Sequence, residues 1–305
     1  MKVRLVKFPV LFLMVLMIVY KLPAQSRSAD TAKSKPAFSN SYAQAGVNYI
    51  SNTVFAGRKD SVAVPYLSPS ISYSHKSGVF AKGSLSYLTS AKESRIDLYT
   101  LTAGYVYSKN NFIAGVDATK YFFNSSSTNV RSGMSGYAAL FTGYNFKDIF
   151  TTYVDGMVIF GPASDFILGL ELNHPFYAAH DRLKITPTIY TNFGTQNYYN
   201  EYYSTKRSGS GGGGGYGNGN GGPGGSGSTE TTTLSVVESA KFQLLDYEFS
   251  LPVSYTYKQL TVFCTPVLAI PVHPSLITSG GQTTREELSN TFFWSAGIGY
   301  KFTGK

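Results

Sequence analysis

Taken at every second position, "NTFFWSAGIGYKF" (Asn290 to Phe302) separates into two faces. Phe292, Trp294, Ala296, Ile298, Tyr300 and Phe302 form one; Thr291, Phe293, Ser295, Gly297, Gly299 and Lys301 form the other. Period 2 with one large apolar face and one mostly small or polar face predicts a β-strand. The pattern recurs upstream. In "LYTLTAGYVY" Tyr99, Leu101, Ala103, Tyr105 and Tyr107 oppose Thr100, Thr102 and Gly104. After "SKNN", the run "FIAGVDATKYF" sets Phe112, Ala114, Val116 and Ala118 against Gly115, Asp117 and Thr119, which predicts a hairpin. About twelve such segments follow one another, beginning near Tyr42, Tyr66, Val79, Asp97, Phe112, Met134, Ile149, Asp165, Arg182, Lys241, Leu260 and Asn290. Most run to about ten residues or more, beyond the roughly 5–6 of a soluble strand and near the roughly 9–11 that cross a bilayer at a tilt. The alternation is weakest in "MSGYAALFTGYNF" and "IFTTYVDGMVIF", where apolar residues fall on both faces.

The connections alternate between two classes. Lys76–Gly78, Lys109–Asn111, Lys147–Asp148, Pro175–Asp181 and Lys258–Gln259 are mostly very short. Ala56–Pro65, Ser90–Ile96, Phe123–Gly133, Gly161–Ser164, Gly194–Ala240 and Val272–Ser289 are mostly longer and polar, with Gly161–Ser164 the exception. Short turns at one end and long loops at the other, with an even number of antiparallel strands, describe an outer-membrane barrel. The expected fold is therefore all-β: an antiparallel up-and-down transmembrane β-barrel of about twelve strands, with both termini on the short-turn side. A soluble β-sandwich is the rival; it would bury the aromatics internally.

Composition agrees with the bilayer. Charged residues are 14%, against about 25% in typical globular proteins, while 24 Tyr and 21 Phe stand in their place. The first residues, with Lys2, Arg4 and Lys7 before an apolar run from Phe8 to Tyr20 and the exit "LPAQ", form a Sec signal peptide pattern. That run falls short of the roughly 20 residues that span a membrane as a helix. The expected division is a signal peptide over 1–25, a short polar periplasmic segment over 26–40 and a barrel over 41–302, with a glycine-rich extracellular loop within 194–240. Loss of the leader's four cations takes the net charge from +9 to +5, which says little about partners. The one cysteine, Cys264, excludes an intramolecular disulfide. Its apolar surroundings in "LTVFCTPVLAIP" suggest a small side chain on a strand.

Lys82, Asp117, Asp155, Glu171, Lys184, Asp246, Glu248 and Lys301 all fall on the polar phase and are the candidate lumen-lining residues. A Lys or Arg on the lipid face at mid-depth would cost about 2–4 kcal/mol. Lys120 alone has the outward phase, near an outer strand end where its ammonium can snorkel. Glu171 and Lys184, on consecutive strands, are expected to pair across their hairpin. These charges line a narrow polar channel, or close the lumen with ion pairs.

Signal peptide, alternating aromatic strands and an aromatic terminal strand together resemble a Gram-negative outer-membrane β-barrel over roughly Tyr42 to Phe302. The "PAQS" exit and "FSLPVSYTYKQLTVFCTPVLAIP" are similar to barrels common in Bacteroidota. The resemblance implies outer-membrane lipids and the barrel-assembly machinery as partners. That machinery reads a terminal aromatic, and here Phe302 is followed by Thr303, Gly304 and Lys305.

Three other features bear on function. His75 and Ser77 in "SYSHKSG" share one strand face and resemble the His-x-Ser of barrel lipid hydrolases, but Thr89 stands where those enzymes carry Asn or Glu. The short-turn position is also the wrong rim for outer-leaflet chemistry, so a turn histidine is the expectation. His174, His180 and Asp181 cluster around one turn at a spacing nonspecific for metal. "SGSGGGGGYGNGNGGPGGSGS" (208–228) lacks the Lys and Ser or Thr of a phosphate loop and the repeated cations of a nucleic-acid segment, leaving a flexible loop. No enzyme activity, cofactor, metal or nucleic-acid partner is expected. The expected function is a narrow small-solute channel; a non-conducting structural or surface-interaction barrel and a lipid-modifying barrel enzyme are the alternatives.

Overall fold

Long alternating segments joined by tight turns pair with their sequence neighbours, and in the computed structural model the sheet they make closes on itself. The structure describes residues 40–60, 62–90, 94–147, 149–202, 235–279 and 282–303. The expected signal segment, all but the end of 26–40 and the glycine-rich run 208–228 lie outside the described residues. The strands are β1 (Tyr42–Ile50), β2 (Tyr66–Ser74), β3 (Val79–Thr89), β4 (Ser94–Lys109), β5 (Phe112–Phe123), β6 (Gly136–Phe146) and β7 (Phe150–Phe160). They continue as β8 (Asp165–Asn173, resumed at Phe176–Ala178), β9 (Leu183–Ile185, resumed at Thr188–Gly194), β10 (Gln243–Ser250, resumed at Val253–Tyr257), β11 (Leu260–Pro271) and β12 (Thr291–Thr303). Each pairs antiparallel with the next, and β12 pairs with β1 from Tyr42↔Thr303 to Ile50↔Ser295. The result is a closed, twelve-stranded antiparallel barrel in which no strand edge is left unpaired. Both ends of the barrel chain, Tyr42 and Thr303, lie at the short-turn end.

The interruptions in β8, β9 and β10 have one cause. Pro175, Pro187, Pro252 and Pro266 stand side by side on four successive strands, and proline brings no N–H to the ladder. The residue before each of the first three donates to its neighbour's proline carbonyl: His174 N to Pro187 O (3.3 Å), Thr186 N to Pro252 O (2.9 Å) and Leu251 N to Pro266 O (3.1 Å). The belt mends itself, so β8 runs on past Pro175. Its turn is formed by Ala179, His180 and Asp181, all with positive φ, not by the whole of Pro175–Asp181. The expected Glu171–Lys184 pair fails for this reason. Glu171 lies opposite Tyr190, and Lys184 opposite Tyr177 and Ser254, six residues from that row, or about 20 Å along the strand.

Outside the barrel, aromatics gather near the short turns (Tyr73, Tyr107, Tyr144, Tyr257, Tyr300, Phe302) and again near the long loops (Tyr87, Tyr99, Phe122, Phe160, Phe166, Phe292). Between them stand aliphatics such as Ile71, Leu101, Val116, Leu140, Leu170 and Ile298, all exposed. Cys264 is exposed on this face, opposite Val253 and Ala296. Lys120 lies opposite Leu101 on it, with its ammonium 6.0 Å from the Phe122 ring toward the long-loop end.

On the inner face several glycines serve as seats for rings. Gly104 lies under Phe80, Gly115 under Phe141, Gly143 under Tyr153, Gly169 under Tyr190 and Gly297 under Phe263, each so close that a Cβ would collide with the ring. The rings occupy the space a Cβ would fill, which is how β6 and β7 carry large residues on both faces.

Candidate functional site

The barrel encloses a lumen whose two ends differ. Strand pairing sets the inner positions. Lys82 lies between Ser72 and Thr102, and Lys301 lies opposite Gln44 with its ammonium 3.8 Å from the Tyr42 ring. Lys82, Lys184, Lys301 and Gln44 are exposed, near the short turns.

The carboxylates lie deeper and on other strands. Asp117 (β5) lies beside Tyr137 of β6. Asp155 (β7) accepts from Tyr190 Oη at 2.9 and 3.2 Å. Glu171 (β8) accepts from Asn173 Nδ2. On β10, Asp246 Oδ1 accepts from Asn192 Nδ2 at 2.8 Å, and Glu248 stands two residues further along the same face. The ladder brings Glu171, Tyr190 and Glu248 into one row across three strands, with Asp155, Gly169, Asn192 and Asp246 in the next. Asp117, Asp155, Glu171 and Glu248 are half-buried, whereas Asp246 is fully buried.

What buries Asp246 is the long-loop mouth. The first loop sends a two-stranded hairpin, Val54–Phe55 with Arg58–Lys59, into the barrel. Its two-residue tip, Ala56 and Gly57, has positive φ at both positions (46° and 74°), the geometry of a tight hairpin turn. Gly57 abuts Asp246 and Pro271 so closely that a Cβ would touch both. Phe55 and Ala56 pack with Ile159, Ile167, Leu245 and the helix α1 (Asn197–Tyr202) on one side. Val54 packs with Val267, Ala269 and Phe293 on the other. Buried apolar clusters thus flank the hairpin on both sides of the opening.

Arg58 stands at the centre of this cap, 1% exposed. Its Nη2 donates to His273 O (2.9 Å) and lies 3.6 Å from Glu286 Oε2, and its guanidinium lies 5.6 Å from the Tyr199 ring. In the amide orientation that the network selects, Gln196 accepts from Arg58 and donates to Ser275 Oγ. Tyr199 Oη donates to Glu286 Oε1 (2.8 Å), and Ser275 N to Glu286 Oε2 (3.0 Å). Arg58 therefore ties together the first loop, the segment leading into α1 and the loop before β12. Asp165, at the start of β8, caps α1 by accepting from Asn197 N (2.6 Å) and Tyr198 N (2.7 Å). Burial pushes the Tyr198 phenol above its ordinary range, and Arg58 opposes that shift.

Two bulges complete the mouth. Ser86 pairs with Leu98 and Tyr87 with Ile96, leaving Asp97 as the extra residue; Asn192 pairs with Asp246 and Phe193 with Leu244, leaving Leu245. A bulge lets two consecutive side chains turn inward. Asp97 is thereby buried, accepting from Tyr66 Oη, Ser127 Oγ (2.6 Å) and Arg95 Nε (2.9 Å), which fastens the 124–135 loop.

Sequence reasoning placed most of the strands but missed Arg58, Asp97, Asp165, Glu286 and the α1 tyrosines. "VFAGRK" carries the one available signal, a two-residue Ala-Gly between apolar and basic pairs. His75 and Ser77 sit at an exposed short turn. His75 Nδ1 lies 2.8 Å from Ser77 Oγ and accepts Ser77 N–H (3.2 Å), while Gly78 N donates to His75 O (2.9 Å), all contacts that close the turn. His174 packs edge-on against Phe176 (4.3 Å), apart from His180 and Asp181 at the turn. No group of three or more possible metal ligands occurs among the described residues.

Closure without edges, two aromatic belts around an aliphatic band and polar groups turned inward define a transmembrane type of β-barrel. No protein-family model and no curated protein matches the chain. Among solved structures it is similar to the KdgM porin (10% identity, 84% of this chain and 98% of that one, TM-score 0.45). An outer membrane channel from Pseudomonas putida F1 is also similar (10% identity, 88% and 98%, TM-score 0.43), as is an anion-selective porin from Comamonas acidovorans (7% identity, 86% and 99%, TM-score 0.33). The class rests on the barrel's own closure and surface, not on these likenesses.

Proposed function

We propose that the protein is a Gram-negative outer-membrane barrel acting as a narrow channel for small solutes, with Lys82, Asp117, Asp155, Glu171, Lys184, Asp246, Glu248 and Lys301 lining its lumen. The observation that carries this reading is the contrast between faces. Apart from Lys120, the charged groups in the strand interiors fall on the inward phase while the outward positions are aliphatic or aromatic, an arrangement costly in any setting except a bilayer around a polar interior. Carboxylates dominate the deeper wall, so permeating cations are favoured over anions. Outer-membrane lipids and the barrel-assembly machinery are the proposed partners.

A second reading has an observation of its own. The packed long-loop mouth suits a non-conducting structural barrel. Purified protein folded into a planar bilayer separates the two: discrete, cation-preferring steps support the channel, and a folded, bilayer-inserted barrel that never conducts supports the structural reading. Solubility of the folded protein without detergent would remove both.

A further inference from the structure

We propose that the Val54–Lys59 hairpin is a removable bolt that shuts the long-loop mouth of the lumen, with Arg58 as its latch. The inference rests on the channel reading and adds to it a closed state and the part that moves.

Three features of the hairpin support this. Its attachment is narrow: Val54 pairs with Lys59, so the insertion leaves the first loop and returns to it at one place, and swinging it out breaks no barrel ladder. Its seat is made of loops and inner wall together, since the tip abuts Asp246 and Pro271 while Phe55 meets Tyr198 ring to ring at 5.1 Å. The polar fit of that seat is incomplete. Arg58 Nη1 and Asp246 Oδ2 are both buried without a hydrogen-bond partner. Desolvating such groups offsets much of what a buried ion pair contributes. A seat that encloses the hairpin yet leaves these costs unrelieved can be vacated and refilled. The rest of the lumen stays as it is, because the inner charges belong to the strands.

The test is conductance of the whole protein in planar bilayers, with folding checked by the heat-dependent gel mobility of the barrel. Replacing Val54–Lys59 by two glycines should raise conductance several-fold over the wild type, and Arg58→Ala should raise the open probability without changing the largest step. A second route does not depend on tolerance of the deletion. In a Cys264→Ser background, Gly57→Cys with Pro271→Cys places two thiols where a small outward shift of the tip allows a disulfide. Oxidation should suppress openings, and reduction should restore them in the same sample. Equal conductance of wild type, deletion and both redox states would overturn the bolt and leave the channel standing. Folded barrels silent in every variant would overturn the channel reading and the bolt with it.

Discussion

At the short-turn end the inner wall is wet: Gln44, Lys82, Lys184 and Lys301 are exposed, and the turns there do little more than reverse the chain. At the long-loop end the inner wall is dry, with Leu88, Thr119, Ile159, Ile167, Asp246 and Phe293 all buried. One sheet serves both ends, so alternation alone decides which face a side chain takes and leaves open whether that face meets water. Loops decide the second question. The bulges at Asp97 and Leu245 lie at the dry end, where turning an extra side chain inward gives the loops something to pack on or bond to.

The largest expected effect on this contrast is at Asp97. Asp97→Ala removes the acceptor for Tyr66, Ser127 and Arg95 at a buried position. Leaving the Tyr66 and Ser127 hydroxyls without this buried acceptor should cost about 3 kcal/mol, read as a lowered urea midpoint of the lipid-folded barrel. Protease should then cut within 124–135 while the short-turn end stays resistant. Intact protection of that loop in the variant would show that apolar packing, not the buried carboxylate, holds the mouth.

A smaller effect is expected along the row that runs from Asp155 through Gly169 to Asp246. Gly169→Ala places a methyl against Tyr190 Oη and the Asp155 carboxylate, forcing the ring off the wall and breaking the Tyr190–Asp155 bonds. Overpacking of this kind costs about 1–3 kcal/mol. The barrel's melting on gels should move down, and any conductance should fall because the ring then intrudes on the lumen. Gly156→Ala is the control, since nothing lies within 4 Å of the Cβ it would carry. Equal shifts for both would mean that the rings are not seated as the glycines suggest.

How much of this was legible in the sequence follows the same division. Strand starts expected at Tyr42, Tyr66, Val79, Phe112, Asp165 and Leu260 coincide with the observed ones, because period 2 and tight turns are local signals. The β8 boundary was misplaced because Pro175 reads locally as a terminator. Only the neighbouring Pro187 carbonyl, which accepts from His174 N, lets the strand resume. The cap was illegible for a different reason. Arg58 meets His273 and Glu286 more than two hundred residues away, and no period in the chain announces such a contact. Asp97 and Leu245 were hidden by their bulges, which break the very alternation used to assign faces.

The smallest effect expected tests the faces themselves, on two adjacent residues of β8. Glu171 pairs with Tyr153 and Tyr190 on the inner wall, while Leu170 pairs with Val154 and Thr191 and is exposed outside. Glu171→Gln keeps the shape and removes one carboxylate from a confined polar lumen. The ratio of cation to anion permeability should therefore fall, because the local potential acting on a passing ion becomes less negative. Leu170→Val trims one methylene on the outer face, where neighbouring lipid replaces the lost contact, and should leave that ratio unchanged. Since the two sit at nearly the same depth, a difference between them reports the face and not the level. Equal shifts would invert the assignment of inside and outside on β8. A shift confined to Glu171→Gln ties the carboxylate wall to selectivity, and comparing it in the Val54–Lys59 replacement shows whether that wall acts independently of the cap.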